Sequence, residues 1–581
     1  MILVFGGTTE GRKAAEVLEE AGATYYYSTK TGEQDIALHH GIRLDGAMDT
    51  EAMRTFCEQH QIRLLVDAAH PFASLLHQTI ADVARVTALP VVRYERIYPP
   101  RDPDITWIDD YTQIPHDIRS LLATTGVQSI AKLKPLEATG MKVYYRILPR
   151  ESSIRMAHAQ GATDDQLCYF EEGNAIDIEA EAILLKESGL SGGFQEKVNA
   201  ARAKGMRILV LKRPELSFIH CVNGQHGLRR MVEHLLPAFF PLHSGLTTGT
   251  CATAAAVAAA LHVIKHETPA EVPVMLPDGE TIMVAVGYGE DYAYCIKKAG
   301  DDPDVTNGLE IRAMVEVTED ETKIAGGEGV GRFTLPGFDF PPGEPAINKA
   351  PREMIRQNLR PFGVNFAVTI TVPDGREIAK KTFNPRLGIE GGISIIGVSG
   401  IVKPFSEEAF ISSIRKCMEV AKASNTDRVV INSGGKSERY VKAHYPTLPQ
   451  QAFVEYGNFI GETLAMAHEL GIRHVTLGLM LGKAVKLAQG HLDTHSKKST
   501  MDPAFIRQLL REAGCDADVS GITLARELWG RIPAGSRESF ANTVIAHCAD
   551  VCQPLLPGGD LTILLIDDDG NVFRRNDEIT K

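Results

Sequence analysis

Short runs of consecutive apolar residues alternate with amphipathic segments through the first 240 positions of the chain. A continuous apolar run bounded by turn residues is typical of a strand buried on both faces, as in parallel sheets covered by helices. The alternation therefore predicts an α/β fold with two Rossmann-like lobes, about 1–100 and 101–241, each with a parallel sheet. The predicted strands are Ile2–Phe5, Thr24–Ser28, Arg63–Asp67, Pro90–Tyr94, Val143–Tyr145, Ala182–Lys186 and Arg207–Leu211, and the predicted helices include Arg12–Ala21, Thr50–His60 and Leu75–Thr87.

The pattern changes after residue 241. Pro237 and Pro241 bracket the end of an apolar helix, and an alanine-rich helix follows within 242–261. Short strands with Pro-Asp-Gly turns predict an antiparallel α+β part over about 242–400, including a hairpin of Phe366–Val372 and Arg376–Thr382. Strand–helix alternation with glycine-rich strand ends returns over about 401–581 and predicts a second α/β part. The sequence therefore predicts a domain boundary between residues 241 and 242.

Composition and charge narrow the classes of protein only slightly. The formal net charge of −13 argues against a general nucleic-acid binder, which usually carries a basic surface. The N-terminus lacks the features of a signal peptide, and no apolar run has the length of a membrane span, so we expect neither. The nine cysteines form no CxxC pair and no zinc spacing. We therefore expect no protein-bound metal and a cytoplasmic enzyme in a reducing compartment.

The strand, glycine-rich turn and helix at the N-terminus are typical of a nucleotide site. Glycines let the backbone approach a pyrophosphate, and the helix N-terminus receives its charge. The next strand ends at Ser28 and Lys30 instead of an acid, which favours NADPH over NADH. The alternatives are a turn that binds nothing and a solvated Lys30. The candidate cofactor residues are Gly6, Gly7, Thr8, Thr9, Glu10 and Gly11, together with Gly189 and Gly192 in a second such turn.

Polar residues follow several predicted strands of this half. Asp67 ends one strand and is followed by His70, and either side chain is a candidate for the chemistry because ligands bind at the carboxyl edge of such sheets. His70 either donates a proton or caps a loop. Arginines at the same edge, each a surface arginine in the alternative interpretation, are Arg93, Arg96, Arg146 and Arg150.

Several motifs in this half resemble the precorrin-6A reductase family of cobalamin biosynthesis. They are GGTTEG at 6–11, DAAHPFA at 67–73, RYER at 93–96, TTG at 124–126, KESGLSGGFQEK at 186–197 and KRP at 212–214. The resemblance implies reduction of one double bond of a corrin precursor by a nicotinamide nucleotide. Because that substrate carries many carboxylates, it also implies that Arg93, Arg96 and Arg146 bind substrate.

The second half has its own candidates. Thr248 and Thr250 begin the alanine-rich helix, whose N–H groups suit carboxylates, and Asp302 and Asp304 lie in a polar loop without EF-hand spacing. His491 and His495 flank an aspartate in a predicted loop. The alternatives for them are contact with substrate or acid–base chemistry, a structural loop, and zinc binding. Glycine-rich turns that suit S-adenosylmethionine contain Gly397, Ser399, Gly400, Gly434 and Gly435.

These segments resemble the cobalt-precorrin-5B (C1)-methyltransferase family. The motifs that carry the resemblance are SGLTTGTCATAAA (244–256), AGDDPDVTNG (299–308), GEGVGRFT (327–334), AINKAPR (346–352), GGISIIGVSGIV (391–402), GNFIGET (457–463), GKAVKLAQGHLDTHS (482–496) and IAHCADVC (545–552). The resemblance implies methyl transfer from S-adenosylmethionine to a ring carbon of a cobalt-precorrin. The cobalt then arrives inside the substrate and needs no protein ligand.

Together the two resemblances predict a bifunctional enzyme of cobalamin biosynthesis that uses NADPH or NADH and S-adenosylmethionine and acts on cobalt-precorrins. Neither nucleic acid nor a membrane is expected as a partner. One alternative is a corrinoid-binding carrier in which one half is catalytically inactive. Another is an unrelated oxidoreductase fused to an acyl-transferring or deacylating enzyme, which accounts for the glycine turns but not for the ordered motifs.

Overall fold

The computed structural model describes residues 1–30, 32, 34–169, 178–495, 498–522 and 525–574. The chain divides into two compact units. The first comprises Met1–Ser244 with Pro273–Met283, and the second comprises Gly245–Val272 with Val284–Lys581. Each unit is built around its own sheets, as follows.

The first unit contains two six-stranded sheets, and every described strand pair in both is parallel. The orders are β12-β5-β4-β1-β2-β3 and β6-β11-β10-β7-β8-β9. The strands are β1 (Ile2–Phe5), β2 (Tyr25–Thr29), β3 (Gly41–Asp45), β4 (Leu64–Asp67), β5 (Val91–Tyr94), β6 (Thr106–Ile108), β7 (Ser120–Ala123), β8 (Lys142–Ile147), β9 (Leu167–Tyr169), β10 (Ala182–Lys186), β11 (Arg207–Leu211) and β12 (His220–Val222). The helices are α1 (Thr9–Glu19), α2 (Thr50–Gln59), α3 (Ser74–Thr87), α4 (Ile130–Glu137), α5 (Glu151–Ala159), α6 (Phe194–Ala203) and α7 (Gln225–Leu235).

The predicted parallel α/β fold of this half is confirmed, because its apolar runs form strands whose side chains are buried. The predicted lobe limits are wrong at one point. Strand β12 pairs with β5, with His220 opposite Val92, and α7 packs on α1. The chain therefore returns to the first sheet after about residue 219. The three-residue strand His220–Val222 is only partly buried, so its apolar pattern gave no signal.

Residues 273–283 fold with the first unit although they follow the predicted boundary. They belong to the hairpin of β14 (Glu271–Met275) and β15 (Thr281–Ala285). The buried Glu280 carboxylate accepts N–H bonds from His226 and Gly227 in the first turn of α7. Burial raises the pKa of Glu280 to about 7. An acceptor at a helix N-terminus satisfies N–H groups that have no partner within the helix.

The second unit begins with an α+β part. Its five-stranded sheet has the order β16-β17-β18-β21-β19, and β19–β21 is the parallel pair among otherwise antiparallel pairs. The elements are β13 (Gly245–Leu246), α8 (Thr248–Lys265), β16 (Gly287–Tyr288), β17 (Ala293–Ile296), β18 (Glu310–Thr318), β19 (Lys323–Gly326), β20 (Arg332–Phe333), α9 (Lys349–Leu359), β21 (Asn365–Thr371), α10 (Gly375–Ala379), β22 (Ile389–Glu390) and β23 (Ile401–Val402).

Helix α8 is the core helix of this part. Its thirteen residues from Thr248 to Ala260 are all buried, and it packs on α9, β17 and β18. By length and composition alone α8 could span a membrane, but 72% of its apolar window is buried inside the protein. The alanines therefore serve close packing of the helix on the sheet, because a small side chain lets backbones approach.

The rest of the second unit is an α/β part with the sheet order β25-β24-β26-β27-β28, parallel except for the last pair. The predicted α+β and α/β classes of this half are confirmed. The elements are α11 (Glu407–Ala423), β24 (Val429–Asn432), α12 (Gly435–His444), β25 (Phe453–Glu455), α13 (Ile460–Glu469), β26 (His474–Met480), α14 (Leu481–Ala488), α15 (Pro503–Glu512), α16 (Ala525–Arg531), α17 (Arg537–Cys552), β27 (Asp560–Ile566) and β28 (Val572–Phe573).

The predicted hairpin after residue 366 is wrong. The segment 376–382 is not a strand; α10 begins at Gly375, and β21 pairs instead with β18 and β19. The reason is a tight backbone crossing. Cβ atoms added to Gly375 and Gly392 would each lie 2.1 Å from the Gly329 carbonyl oxygen, and a Cβ on Gly329 itself would lie 1.7 Å from the Val372 oxygen. The glycine-rich segment after β19 thus serves backbone packing.

We expect Gly329→Ala to destabilise the second unit more than Gly343→Ala. Both glycines have positive φ (71° and 96°), but a Cβ on Gly343 meets nothing within 4 Å. Gly343→Ala should therefore cost only the backbone strain, about 1 kcal/mol, and Gly329→Ala at least about 3 kcal/mol because overpacking is added. Urea unfolding followed by Trp529 fluorescence in a Trp107→Phe background measures both. Equal losses in the free energy of unfolding for the two variants would contradict the close backbone contact at Gly329.

Candidate active sites

The glycine turn after β1 has the geometry of a nucleotide turn. Gly7 has φ +83°, and a Cβ there would meet nothing within 4 Å, so the turn is open on that side. Cβ atoms on Gly6 or Gly11 would collide with Tyr27, and Gly11 also approaches the Gly6 backbone. These two glycines therefore allow α1 to pack closely on the sheet, and Gly7 is the one that faces open space.

The threonines of this turn have different surroundings. Thr8 is the N-cap of α1: its hydroxyl accepts the Gly11 N–H and donates to the Ala68 carbonyl at 2.6 Å. Thr9 begins α1 and is partly buried. At the end of β2, Ser28 is buried, whereas Lys30 is exposed. Of these two, Lys30 is the side chain that can reach an added phosphate.

Glu10 and Arg96 are occupied by each other. Arg96 Nε donates to Glu10 Oε2 at 2.9 Å, its Nη1 donates to the Ser188 carbonyl at 2.7 Å, and Ser191 also donates to Glu10. Both charged side chains are buried. The expectation that Glu10 contacts a cofactor and Arg96 a substrate is not supported by this geometry. The pair instead joins the two lobes of the first unit.

The second glycine turn is explained by the same contact. A Cβ on Gly189 would lie 3.0 Å from Arg96 Cβ and from the Ile97 oxygen, and one on Gly192 would lie 2.8 Å from Arg96 Nη1. The turn therefore packs against the Arg96 segment of the other lobe. This close approach requires glycine whether or not a cofactor binds nearby.

Asp67 lies at the centre of a fully buried cluster. Its carboxylate binds Arg93 Nη1 at 3.0 Å and His77 Nδ1 at 2.6 Å, and accepts the Ala69 N–H at 3.1 Å. Arg93 is 1% exposed and also donates to the Ala69 carbonyl. Neither Asp67 nor Arg93 can reach a ligand without breaking this cluster. The geometry therefore favours a structural role for the cluster over direct contact with a ligand. Sequence reasoning did not identify His77.

His70 follows this cluster in a half-buried loop. Burial, together with the charges of Arg96, Lys186 and Arg93, lowers the pKa of His70 to about 3. The Phe72 N–H donates to its Nδ1, at 3.2 Å, so the imidazole is neutral with its proton on Nε2. His70 can therefore donate a hydrogen bond through Nε2, but it carries no imidazolium proton to transfer near neutral pH.

Lys186 is a cation of this site that sequence reasoning missed. It ends β10 and lies 4.9 Å above the Phe72 ring, and Phe72 packs on the second lobe. No carboxylate among the described residues pairs with Lys186. Burial and the Lys132 charge lower the pKa of Lys186 to about 8. The sequence could have indicated Lys186, which begins the KES motif, because a lysine at the carboxyl end of a buried strand lies at the edge of the sheet where ligands bind.

Further cations lie near Lys186. Lys197 is half-buried, donates to the Gly192 carbonyl at 3.0 Å, and has its pKa lowered by burial and by the charges of Arg146 and Arg96. Arg146 lies within β8, not after it as predicted, and Arg150 is the exposed N-cap residue of α5. The carboxyl ends of the two sheets therefore share a positively charged region suited to carboxylates or phosphates.

In the second unit, the start of α8 is closed by the chain itself. The Thr248 hydroxyl accepts the Ile396 N–H at 2.8 Å, and the Thr250 hydroxyl donates to the Gly400 carbonyl at 2.6 Å. The Gly249 N–H donates to the Ile396 carbonyl. Both threonines are buried and bonded to this loop, so the prediction that they bind substrate carboxylates is not supported by this geometry.

The loop that covers α8 carries the other candidates. A Cβ on Gly397 would lie 2.3 Å from Thr247 Oγ1, so glycine is required there by packing. The Ser399 hydroxyl donates to the Ile401 carbonyl, and Gly400 has φ +85°. The same loop exposes Ile396 (47%) and Val398 (84%). It therefore offers apolar side chains to solvent instead of a row of N–H groups.

The aspartate loop is held by a buried lysine. Asp304 pairs with Lys297, which is 1% exposed, and accepts from Thr306. The pKa of Asp304 is lowered: burial alone would raise it, but the Lys297 charge and these hydrogen bonds outweigh burial. Asp302 accepts the Phe405 N–H at 3.1 Å. Because Asp304 is neutralised inside the protein, it is not available to substrate, whereas Asp302 lies at the base of the exposed apolar loop.

The carboxyl edge of the β24–β26 sheet forms the second open turn. Gly434 and Gly435 have φ +80° and +53° and begin α12, and a Cβ on Gly435 meets nothing within 4 Å. A Cβ on Gly434 would lie 2.3 Å from Glu455 Oε1, at the end of the adjacent strand β25. In an open α/β sheet, ligands bind at this edge where strand order reverses, and β24 lies between β25 and β26.

The histidine loop lies at the same edge. The Thr494 N–H donates to the Asn458 carbonyl, and Lys483 donates to Asn458 Oδ1 at 2.9 Å. The His495 N–H donates to Asp493 Oδ1, at 3.0 Å, and both His491 and His495 are partly buried. Burial and the Lys486 charge lower the pKa of Lys483 to about 8. The predicted loop is present, and Lys483 is a further residue that sequence reasoning missed.

Possible metal ligands in the described part of the chain lie close together in the first unit and not in the histidine loop. Among the residues that the structure describes, the group of His, Cys and acidic side chains within ligand distance is His226, Asp278 and Glu280 in the first unit. Glu280 there already caps α7, and His491, Asp493 and His495 do not form such a group. Ser496, which completes the HLDTHS motif, lies outside the described residues.

Comparison with known proteins identifies relatives for both parts of the chain. The family model described as precorrin-6x reductase CbiJ/CobK matches residues 1–235, and the CbiD model matches residues 238–404. The cobalt-precorrin-5B C(1)-methyltransferase of Prosthecochloris aestuarii is 42% identical over 345 residues, which are 56% of this chain and 94% of that protein. The corresponding protein of Geobacillus sp. is also 42% identical, over 55% of this chain and 92% of its own.

A solved structure is similar to part of the chain as well. The cobalamin biosynthesis protein cbiD from Archaeoglobus fulgidus is 31% identical, with a TM-score of 0.26, over 44% of this chain and 83% of that one.

We expect Asp67→Asn to destabilise the first unit by about 2–4 kcal/mol, because it leaves the buried Arg93 guanidinium with only its longer pair to Glu95 at 3.3 Å. Asp82→Asn is the matched control: Asp82 pairs with Arg85 on the surface of α3, and losing such a pair costs less than about 1 kcal/mol. Urea unfolding followed by Trp107 fluorescence in a Trp529→Phe background measures both. Similar costs for the two variants would show that the Asp67 cluster is not a structural support.

We expect Lys186→Met to stabilise the first unit in a pH-dependent manner. The folded-state pKa of about 8 lies below the usual 10.5, so the unfolded chain binds the proton more tightly and the buried cation costs stability. The gain in the free energy of unfolding should be about 3 kcal/mol at pH 7 and about half of that at pH 9.5. The exposed Lys204→Met should show no such dependence. A gain that is absent, or constant with pH, would contradict burial of the Lys186 cation.

Proposed function

We propose one reaction for each of the two parts of this chain. The chain belongs to the cobalt-precorrin-5B C(1)-methyltransferase family and also carries a precorrin-6x reductase segment. The protein is a bifunctional enzyme of cobalamin biosynthesis. The C-terminal part methylates C1 of cobalt-precorrin-5B to give cobalt-precorrin-6A, and the N-terminal part reduces cobalt-precorrin-6A to cobalt-precorrin-6B. The observation that carries this assignment is that two family matches occupy consecutive ranges, the first ending at residue 235 and the second beginning at residue 238.

The first unit suits a nicotinamide nucleotide. Gly7 faces open space at the start of α1, where a pyrophosphate can meet the helix N-terminus. Lys30, exposed after β2, favours the 2′-phosphate of NADPH. The bound nicotinamide supplies the hydride. The protein then has to bind and orient the macrocycle beside that turn.

Two lysines that pair with no carboxylate among the described residues hold the reductase substrate. Arg93 and Arg96 are neutralised by Asp67 and Glu10, so we assign the substrate carboxylates to the region of Lys186 and Lys197. A half-buried ammonium binds a carboxylate more strongly than a fully solvated one, because less water screens the pair. His70 adds an Nε2–H donor at the same edge.

The second unit suits S-adenosylmethionine at the Gly434–Gly435 turn. The open space above Gly435 and the start of α12 fit a nucleoside and its polar tail. When bound there, the cofactor would supply an electrophilic methyl group for a nucleophilic ring carbon of the substrate. Ile396 and Val398 of the exposed loop offer an apolar surface to the flat face of the macrocycle.

Placing both reactions on one chain keeps the product of the first near the second site. Linkage raises the effective concentration of an intermediate without any new contact. Both reactions act on a dissolved corrinoid, and we expect the enzyme in the cytoplasm with no nucleic acid or membrane as partner.

The test is anaerobic incubation of the full chain with cobalt-precorrin-5B and methyl-labelled S-adenosylmethionine, followed by NADPH. Mass spectrometry should show one labelled methyl first and two added hydrogens after NADPH. With cobalt-precorrin-6A supplied directly for the reduction, we expect Gly7→Leu to slow only the reduction and Gly435→Leu only the methylation, each by at least about tenfold, or 1.4 kcal/mol in the barrier. Both positions have positive φ and open space, so each serves as the control for the other.

Two outcomes would contradict the assignment. If the corrinoid gains no label and S-adenosylmethionine stays intact, methyltransferase activity is excluded. That result would favour a corrinoid carrier in which the C-terminal half is inactive. A Gly7→Leu variant that loses methylation as strongly as reduction would show that the two sites are not separate.

A further inference from the structure

The α/β part of the second unit contains an acid at the position where nucleotide-binding sheets hold a ribose. Strand β24 is followed by the Gly434–Gly435 turn and α12, and the next strand, β25, ends at Glu455. In parallel nucleotide-binding units, an acid roughly 20 residues after the glycine turn accepts hydrogen bonds from the ribose hydroxyls. Glu455 has this spacing, and β24 and β25 are adjacent parallel strands.

The glycine turn and this carboxylate are in direct contact. A Cβ on Gly434 would lie 2.3 Å from Glu455 Oε1 and 3.1 Å from Oε2. A side chain at 434 would therefore fill the space in front of the carboxylate. The turn itself is fixed from below, because the fully buried Asn432 accepts the Gly434 N–H at 2.8 Å and donates to the Val454 carbonyl.

One oxygen of Glu455 has no donor among the residues that the structure describes. Arg386 Nη1 donates to Oε2 at 3.4 Å, and no described side chain or backbone N–H donates to Oε1. The nearby Glu438 differs: it is bound by Arg386 at 2.8 Å and by Lys442 at 2.7 Å, and its side chain is 10% exposed. Glu455 is 25% exposed, so it can reach a ligand above the turn, whereas Glu438 is committed to its cations.

Arg386 orients the carboxylate. It comes from the 3-10 turn Asn384–Leu387 of the α+β part and binds Glu438 and Glu455 together. With Oε2 held on that side, Oε1 is directed toward the glycine turn. The same 3-10 turn is bonded to the segment that precedes the exposed loop, because Asn384 donates to the Gly392 carbonyl and accepts from Ser394. Arg386 therefore connects the acid to the part of the chain that leads into the loop assigned to the macrocycle.

We propose that Glu455 binds the ribose hydroxyls of S-adenosylmethionine, with Arg386 as its positioning residue. This inference rests on the proposed methyltransferase function and adds the cofactor subsite to it. The ligand class is an adenosine whose 2′- and 3′-hydroxyls are both free. The residues that would hold the nucleoside are Glu455 at the end of β25 and the Gly434–Gly435 turn after β24.

Calorimetric titration of the full chain tests this without any turnover. The probes are S-adenosylhomocysteine and its 2′-deoxy analogue. We expect the unmodified protein to bind the deoxy analogue roughly 10- to 100-fold more weakly, as for a hydrogen bond to a charged group. In Glu455→Ala, both probes should bind with the same weak affinity, because the partner of the missing hydroxyl is gone.

Two control variants separate ribose binding from structural effects. Glu438→Gln removes the other anion of Arg386, and it should keep the preference for S-adenosylhomocysteine over the deoxy analogue. Glu469→Gln alters a surface pair with Arg415 on α13 and should change neither affinity. Thermal unfolding of each variant, followed by circular dichroism, should stay close to that of the unmodified protein.

The possible failures are distinguishable. If Glu455→Ala binds both probes like the unmodified protein, or weakens both but keeps the preference, the ribose assignment is overturned while the methyltransferase stands. If the unmodified protein binds neither probe and also transfers no labelled methyl, the proposed function and this inference fail together. If it binds S-adenosylhomocysteine without preferring it to the deoxy analogue, only the ribose contact is wrong.

Discussion

The close approach of backbone segments at the ends of strands is the constraint on which both units depend. At Gly11, Gly192, Gly329 and Gly397, an added Cβ would collide with another segment of the chain. At Gly192, Gly329 and Gly397 the neighbouring segment comes from a distant part of the sequence, whereas at Gly11 it is the turn before α1 and the adjacent strand β2. Because no side chain other than hydrogen fits there, these crossings fix where the loops lie. The open turns at Gly7 and Gly435 are then the places where a ligand can take the position that protein occupies elsewhere.

Buried charges divide into two groups with different consequences. Asp67 with Arg93, and Glu10 with Arg96, are mutually neutralised ion pairs that hold the first unit together. Removing one partner of such a pair is costly because the other charge stays buried. Lys186, in contrast, pairs with no carboxylate in the described part of the chain, and its pKa is lowered to about 8 by burial and the Lys132 charge. The first group supports the site, and the second supplies charge that an anionic substrate can neutralise.

The second unit arranges its two candidate sites differently. Its alanine-rich helix α8 is capped by the chain, so the motif that begins this half serves packing. The exposed apolar loop rests on that closed helix start and presents Val398 to solvent. The α/β part presents the Gly434–Gly435 turn, and Arg386 connects the α+β part to the acids beside it. A rigid apolar support and a polar nucleotide edge are thereby placed within one folded unit.

The sequence by itself determined the features that depend on local pattern. Apolar runs such as Ala182–Lys186 and Arg207–Leu211 matched the observed strands to the residue, because burial on both faces leaves a continuous signal. The ordered motifs also identified both families. Tertiary structure alone decided the partners: His220–Val222 returns to the first sheet, Gly375 begins a helix instead of a strand, and Arg93 is bound by Asp67. The physical reason is that pairing, neutralisation and close backbone contact are set by residues far apart in the chain, which no local period encodes.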